Sequence, residues 1–265
     1  MMTPNELEKI TLRVCGIVKE TAAFIRAESE RFSAADVREK SAHNFVTYID
    51  EQSEQRLIAE LSKLVPGSGF IAEESPSLER RELNWVIDPL DGTTNFIHGL
   101  PMYSISVALM EGGAVTAGVI YEAGQQECFH TWKGAASFLN GRAIRVSETK
   151  TLDASLFATG FPYYDYGRLD PYMELFRYMM QHSRGVRRLG TAAADLAWTA
   201  CGRFDGFYEY GLSPWDVAAG TLLVTNAGGK VCDFRSGGDF IFGKEIVTTN
   251  GVLHEEFMSA LNRFF

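Results

Sequence analysis

No run of about 18 apolar residues occurs in the chain, so no membrane-spanning helix is expected. The N-terminus carries Glu6 and Glu8 and lacks a signal-like apolar core, which predicts an uncleaved, cytosolic protein. Cysteine is scarce. Cys15, Cys128, Cys201 and Cys232 stand apart and form no Cys-x-x-Cys pair. That spacing argues against zinc and for free, mostly buried thiols. The five histidines show no metal spacing either, and His98 reads as structural. Positive charge is in deficit, with 25 Lys and Arg against 34 Asp and Glu and a net charge of −9. Nucleic acid and anionic membranes are therefore disfavoured as main partners. Repeats, low-complexity tracts and linkers are also missing. What remains, 46% hydrophobic and 22% charged, is the composition of a globular protein with a large core.

The most informative stretch runs from Trp85 to Phe96. The apolar run Leu83 to Ile87 predicts a buried strand that ends abruptly at Asp88-Pro89, where the proline cannot donate to a ladder. Asp91 and Gly92 follow, then Thr93 and Thr94. Two carboxylates thus stand at a strand end on a stiff turn, beside a glycine that lets a ligand approach the backbone. Hard divalent cations use such oxygen ligands. Asp-Pro and Asp-Gly are also ordinary turn formers, and either dipeptide alone reads as a turn; the two together, after an apolar strand and before Thr-Thr-Asn-Phe, are far more specific.

The run Asp88-Pro89-Leu90-Asp91-Gly92-Thr93-Thr94-Asn95-Phe96 resembles the signature of the inositol monophosphatase family, Mg²⁺-dependent and lithium-sensitive phosphomonoesterases. Other elements are similar and occur in order: Phe70-Ile71-Ala72-Glu73-Glu74-Ser75, with Ala72 for the usual Gly; Gly190-Thr191-Ala192-Ala193; Tyr208-Glu209; and Trp215-Asp216-Val217-Ala218-Ala219-Gly220. The resemblance covers roughly residues 5 to 260 and implies a layered αβαβα sandwich, an α+β fold of the inositol monophosphatase and fructose-1,6-bisphosphatase type. It implies that Glu73, Asp88 and the Leu90 carbonyl hold one Mg²⁺, that Asp88, Asp91 and Asp216 hold a second, and that Glu73 helps with a third, weaker ion. Glu73 and Thr93 would orient and activate the attacking water, with Asp50 in support. Asp91, Gly92, Thr93, Gly190, Thr191, Ala192, Glu209 and Asp216 would contact the substrate, a small phosphorylated polyol. A homodimer is implied as well. Five acidic residues at one site would repel a phosphate ester if bare, so the charges themselves call for cations.

Along the chain, residues 3 to 30 read as a helix opened by the capping box of Thr3 and Glu6. Residues 31 to 49 read as a loop or hairpin, with Lys40 one residue off the spacing of a family lysine. Asp50 reads as the N-cap of a helix over 51 to 65 and, by resemblance, as support for the nucleophile. Residues 76 to 82 read as a solvated loop. Strands are predicted at 103–110, 114–121 and 127–132, and Asn140-Gly141 predicts a hairpin before Arg142 to Val146. This antiparallel meander would close a first subdomain near Ser147 within one catalytic domain of 265 residues. The second half alternates: a strand at 156–160, a helix capped by Asp170-Pro171, a strand at 186–189, a helix at 192–201, a strand at 205–210, a helix at 216–226, strands at 230–234 and 245–249, and a helix at 253–262. Ser213 to Asp216 also reads as a plain helix cap, and Glu209 as a strand-end surface carboxylate.

Within the resemblance, inositol monophosphate is the first substrate expected. Thr94-Asn95 favours it, because nucleotide-specific relatives tend to carry Lys-Glu there. Fructose 1,6-bisphosphate, 3′-phosphoadenosine 5′-phosphate and histidinol phosphate are alternatives on the same scaffold. A regulatory binding protein is a further alternative, since some bacterial relatives act through RNA or transcription-machinery contacts.

Overall fold

The computed structural model describes every residue except 34–36, 42–43, 76–77 and 163–164, and the side chains of 39–41, 44 and 45 also lie outside it. The expectation for Lys40 and part of the loop at 76–82 therefore fall outside the described residues. Helix α1 (Pro4–Ser29) starts at the Thr3 cap, with the predicted reciprocal bonds to Glu6. Strands β1 (Val37–Ser41) and β2 (Asn44–Thr47) form an antiparallel hairpin. Helix α2 (Tyr48–Leu64) begins earlier than expected. Its N-cap is Thr47, and Asp50 is the third helical residue, closing the box by accepting from the Thr47 N–H at 2.8 Å. The correction has a simple cause: Thr47 is extended and its hydroxyl reaches the free N–H groups.

A seven-stranded sheet follows the order β3 (Gly69–Ala72), β4 (Leu83–Asp91), β5 (Ser104–Glu111), β6 (Ala114–Glu122), β7 (Glu127–Trp132), β8 (Ser137–Leu139) and β9 (Arg142–Ile144), with helix α3 (Thr93–Ile97) between β4 and β5. Only β3 and β4 pair in parallel; the rest is a meander. Strand β4 does not stop at Asp88. It continues through Pro89 to Asp91, where pairing resumes opposite Ser104 after a register shift. The proline without a donor sits in that irregularity, which is where a sheet tolerates one. The Asn140-Gly141 turn has both residues at positive φ, 48° and 79°, as a two-residue hairpin requires.

A five-stranded sheet collects β10 (Leu156–Thr159), β11 (Gly185–Arg187), β12 (Gly206–Tyr210), β13 (Lys230–Cys232) and β14 (Glu245–Thr249) in the order β11-β10-β12-β14-β13. Its helices are α4 (Leu169–His182), α5 (Ala192–Ala200), α6 (Pro214–Asn226) and α7 (His254–Leu261). Asp170 lies inside the first turn of α4 rather than capping it.

Three apolar clusters define five layers. The first joins α1 and α2 to one face of the seven-stranded sheet. The second places α5 and α6 between the two sheets. The third packs α4 and α7 on the outer face of the five-stranded sheet. The result is the expected layered αβαβα, α+β architecture. The middle layer is thin because its residues are small. A Cβ on Gly220 of α6 would come within 2.5 Å of Leu196, and one on Gly118 of β6 within 2.8 Å of the Ala219 carbonyl. That close approach brings the start of α6 to the end of β4.

Among the described residues no helix is long and apolar enough to cross a membrane. The cysteines are free, but they are less scattered than their spacing suggests: Cys15 and Cys128 meet beside His130.

Candidate active site

The end of β4, the bulge and the first turn of α3 place Asp88, Leu90, Asp91, Gly92 and Thr93 in sequence around one point. Carboxylate oxygens of Asp88, Asp91 and Asp216 lie within 4.8 Å of one another. Glu73 reaches the same place from the end of β3, its backbone N–H bonded to the Ile87 carbonyl at 3.2 Å. Ala72 packs its methyl in the first apolar cluster. A cavity of about 220 Å³ opens here, lined by Glu73, Asp91, Gly92, Thr93, Ala192, Glu209 and Asp216 among others.

Each carboxylate is fixed by the fold. Asp88 Oδ1 accepts from the Leu90 N–H at 2.9 Å. Asp91 Oδ2 accepts from the Thr191 hydroxyl at 2.6 Å and the Ala193 N–H at 2.8 Å, so the start of α5 holds it. Asp216 Oδ2 accepts from the Ser213 N–H at 2.7 Å, closing the capping box of α6. The plain-cap reading and the site reading of Asp216 are thus both true, one oxygen serving the cap. The Thr93 hydroxyl stands 3.1 Å from Asp50 Oδ1 and 3.0 Å from the Leu90 carbonyl, both acceptors. Asp50 is itself 1% exposed and anchored by Thr47, so it steadies Thr93.

Crowding sets the electrostatics. Burial raises Asp88 well above the usual carboxylate range, and Glu73, Asp91 and Asp216 push it further. Burial likewise raises Asp216, with Asp91 adding to it. Asp91 rises to about 6 through burial, opposed by its bonds to Thr191 and Ala193. Among the described residues the donors that converge are carboxylate oxygens, and their charge is unfavourable without a counterion. That donor set fits a divalent cation.

Gly92 caps α3 at φ 95°, and a Cβ there would press on the Met102 and Gly190 carbonyls at 3.1 and 3.2 Å. Of the residues expected at the substrate, Asp91, Gly92, Thr93, Gly190, Ala192, Glu209 and Asp216 line the cavity. Thr191 does not; it is 1% exposed and acts by holding Asp91. Thr94 lines the cavity, whereas Asn95 is buried and ties α3 to the Met102 and Leu189 carbonyls at 2.8 Å each. Glu209 is not a surface carboxylate: it is 6% exposed, and burial raises it to about 8, so at neutral pH it can donate as well as accept.

The lining groups that went unnoticed in the sequence include Gly160, Arg188 and Asp195. Among the described lining residues Arg188 is the only basic side chain. The Arg187-Arg188 pair just before Gly190-Thr191 was the available signal. Asp195, four residues into α5 from Thr191, has a buried Oδ1 with no hydrogen-bond partner. Gly160 faces Glu209 so closely that a Cβ would fall 1.9 Å from its Oε1.

The model of the inositol monophosphatase family matches residues 6–264. A Pseudomonas aeruginosa protein named Nus factor SuhB is 43% identical over 227 residues, covering 83% of this chain and 84% of that protein. An inositol-1-monophosphatase of Mesorhizobium japonicum is 40% identical over 226 residues, covering 84% and 85%. Among solved structures, the extragenic suppressor protein suhB of Bartonella henselae matches with a TM-score of 0.86 and 35% identity over 98% of both chains. The inositol monophosphatase of Anabaena matches with a TM-score of 0.85 and 34% identity, again over 98% of both. A carboxylate cluster at a strand end, faced by the starts of α5 and α6 on this scaffold, agrees with those matches, and the chain belongs to the inositol monophosphatase family of phosphatases.

Proposed function

We propose that the protein is a Mg²⁺-dependent phosphomonoesterase that hydrolyses inositol monophosphate to inositol and phosphate. One observation carries the reading: Asp88, Asp91 and Asp216 converge beside a cavity lined by Glu73 and by the first residues of α3, α5 and α6. Glu73, Asp88 and the Leu90 carbonyl would hold one Mg²⁺, and Asp88, Asp91 and Asp216 a second, with a third, weaker ion at Glu73. When bound, Mg²⁺ offsets the carboxylate charge, polarises the phosphoryl group and stabilises the departing alkoxide.

The chain's own groups supply position. The Gly92 and Thr93 N–H groups hold the phosphate. Thr93, steadied by Asp50, and Glu73 orient the attacking water, and Glu73 accepts its proton. A loose phosphoryl transition state needs alignment and charge neutralisation more than a strong base. Gly190, Ala192 and Glu209 face the alcohol. Thr191 acts through Asp91. Residence in the cytoplasm and a homodimer belong to the same reading. The substrate choice is supported by relatives named inositol-1-monophosphatase. A relative 43% identical is named a Nus factor, which favours a regulatory role as the second reading.

The test is phosphate release from inositol 1-phosphate, fructose 1,6-bisphosphate, 3′-phosphoadenosine 5′-phosphate, histidinol phosphate and 2-glycerophosphate, with Mg²⁺, with EDTA and with added Li⁺. Mg²⁺-dependent, Li⁺-sensitive release led by inositol 1-phosphate is expected. Release led by another ester reassigns the substrate, and no release from any of them favours the regulatory reading. A finer check uses Gly160→Ala, whose methyl must displace Glu209. The KM for inositol 1-phosphate should rise by about tenfold or more, the value of one alcohol-side contact, with a smaller rise for 2-glycerophosphate. An equal rise for both would remove Glu209 from the alcohol site.

A further inference from the structure

Away from the cavity, α1 crosses the face of β6 and β7. Its buried side brings in Cys15, 7% exposed. Alternation along β7 puts Cys128 and His130 on one face, 2% and 6% exposed. One donor atom from each of the three lies within 4.8 Å of the other two. None of them lines the cavity.

These groups do not look like inert core. His130 Nδ1 is buried and has no hydrogen-bond partner, an uncompensated cost in an otherwise apolar layer. The ring is held in plane by near-parallel stacking on Trp132 and Phe138, at 12° and 15°. Two sulfurs and a nitrogen are thus gathered by two elements far apart in the chain, with the imidazole already oriented.

We propose that Cys15, Cys128 and His130 form a second metal site, for a thiophilic divalent cation of the Zn²⁺ type, at the seam between α1 and β7. Bonds of about 2.3 Å to sulfur and about 2.0 Å to nitrogen place donors about 3.5–4 Å apart, so closing the site from separations within 4.8 Å needs a shift of about 1.3 Å at most. Charge selects the ion. Two thiolates and a neutral imidazole make a divalent complex neutral, which a buried apolar layer accommodates, whereas a monovalent ion leaves a buried negative charge. Sulfur donors also disfavour Mg²⁺. The protons balance. Without an ion the burial of Cys15 and Cys128 favours neutral thiols, and a divalent cation supplies the charge that lets both ionise. Binding forms two metal–sulfur bonds and one metal–nitrogen bond and releases the Cys15 and Cys128 thiol protons to solvent. The ion would clamp the first helix onto the seven-stranded sheet.

Co²⁺ tests this in the full-length, reduced, metal-stripped protein with Mg²⁺ in excess to occupy the carboxylates. Sulfur-to-cobalt charge-transfer absorption arises only from thiolate ligands. A band saturating at about one equivalent and abolished by Zn²⁺ is expected. It should vanish in Cys15→Ser and Cys128→Ser and shift in His130→Gln. Zn²⁺ should raise the melting temperature of the unaltered protein alone. Phosphate release with Mg²⁺ should stay within about twofold in the variants, since the cluster is outside the cavity. Co²⁺ uptake without the band, or a band that survives both serine variants, overturns the proposal. So does a Cys15–Cys128 disulfide formed by peroxide in protein that takes up no Co²⁺. The titration of the unaltered protein decides the matter even if a variant fails to fold, and its result is independent of the phosphatase reading.

Discussion

Asp91→Asn should lower phosphate release by at least about 10²-fold, the size of a lost electrostatic stabiliser in a closed site. The substitution keeps the shape of the side chain, so the argument rests on charge and polarity. Oδ2 of Asp91 receives the Thr191 hydroxyl and the Ala193 N–H. An asparagine must turn its carbonyl oxygen toward those two donors, which aims its NH₂ at Asp88 and Asp216. A negative oxygen ligand is thereby replaced by a positive edge, and a cation loses a ligand and meets repulsion. Turnover in Mg²⁺ and a thermal melt are measured together. The melt should stay near that of the unaltered protein, because both anchoring hydrogen bonds survive. Near-normal turnover would remove Asp91 from the machinery.

Chelation should abolish turnover, and the stability of the metal-free protein should fall as pH rises. Burial and mutual repulsion lift Asp88 and Asp216 well above the ordinary range and Asp91 to about 6. A carboxyl whose folded pKa is raised contributes its full stability below the unfolded value, about 4, and loses it as pH climbs through the folded value. The metal-free melting temperature should therefore begin to drop above about pH 4, fall through the Asp91 value of about 6, and go on falling as Asp88 and Asp216 ionise. Mg²⁺ should reverse the trend. It competes with the protons, binds more tightly at higher pH, and stabilises by about 2.7 kcal/mol at a hundredfold excess over its dissociation constant. Melts at several pH values with Mg²⁺ and with EDTA check both signs. A metal-free melt that is flat with pH and unmoved by Mg²⁺ would sink the cation reading.

Much of the fold was legible because its signals are local. Strands β7 and β14 match the alternating runs at 127–132 and 245–249, and α1 starts where Thr3 and Glu6 say it should. The departures share one cause, tertiary pairing overriding a local signal. Pro89 reads as a strand end, yet pairing of Asp91 with Ser104 carries β4 past it. Asp50 reads as a cap, yet Thr47 takes that role and frees Asp50 for Thr93. Asp195 carries no motif and Arg188 only its pairing with Arg187; packing puts both in the cavity, one from α5 and one from just past β11.

By itself the sequence determined which side chains could do the chemistry and how each local backbone would run. Caps, turns and periodicity depend on torsions and neighbours within a few residues. The tertiary structure alone decided convergence: Asp216 reaches Asp88 and Asp91 because glycine and alanine let α6 lie tight against β6 and α5. It also decided how those groups ionise, and it joined Cys15 to Cys128 and His130. Desolvation and through-space charge belong to packed atoms, and no order of residues along a chain expresses them until the layers have closed.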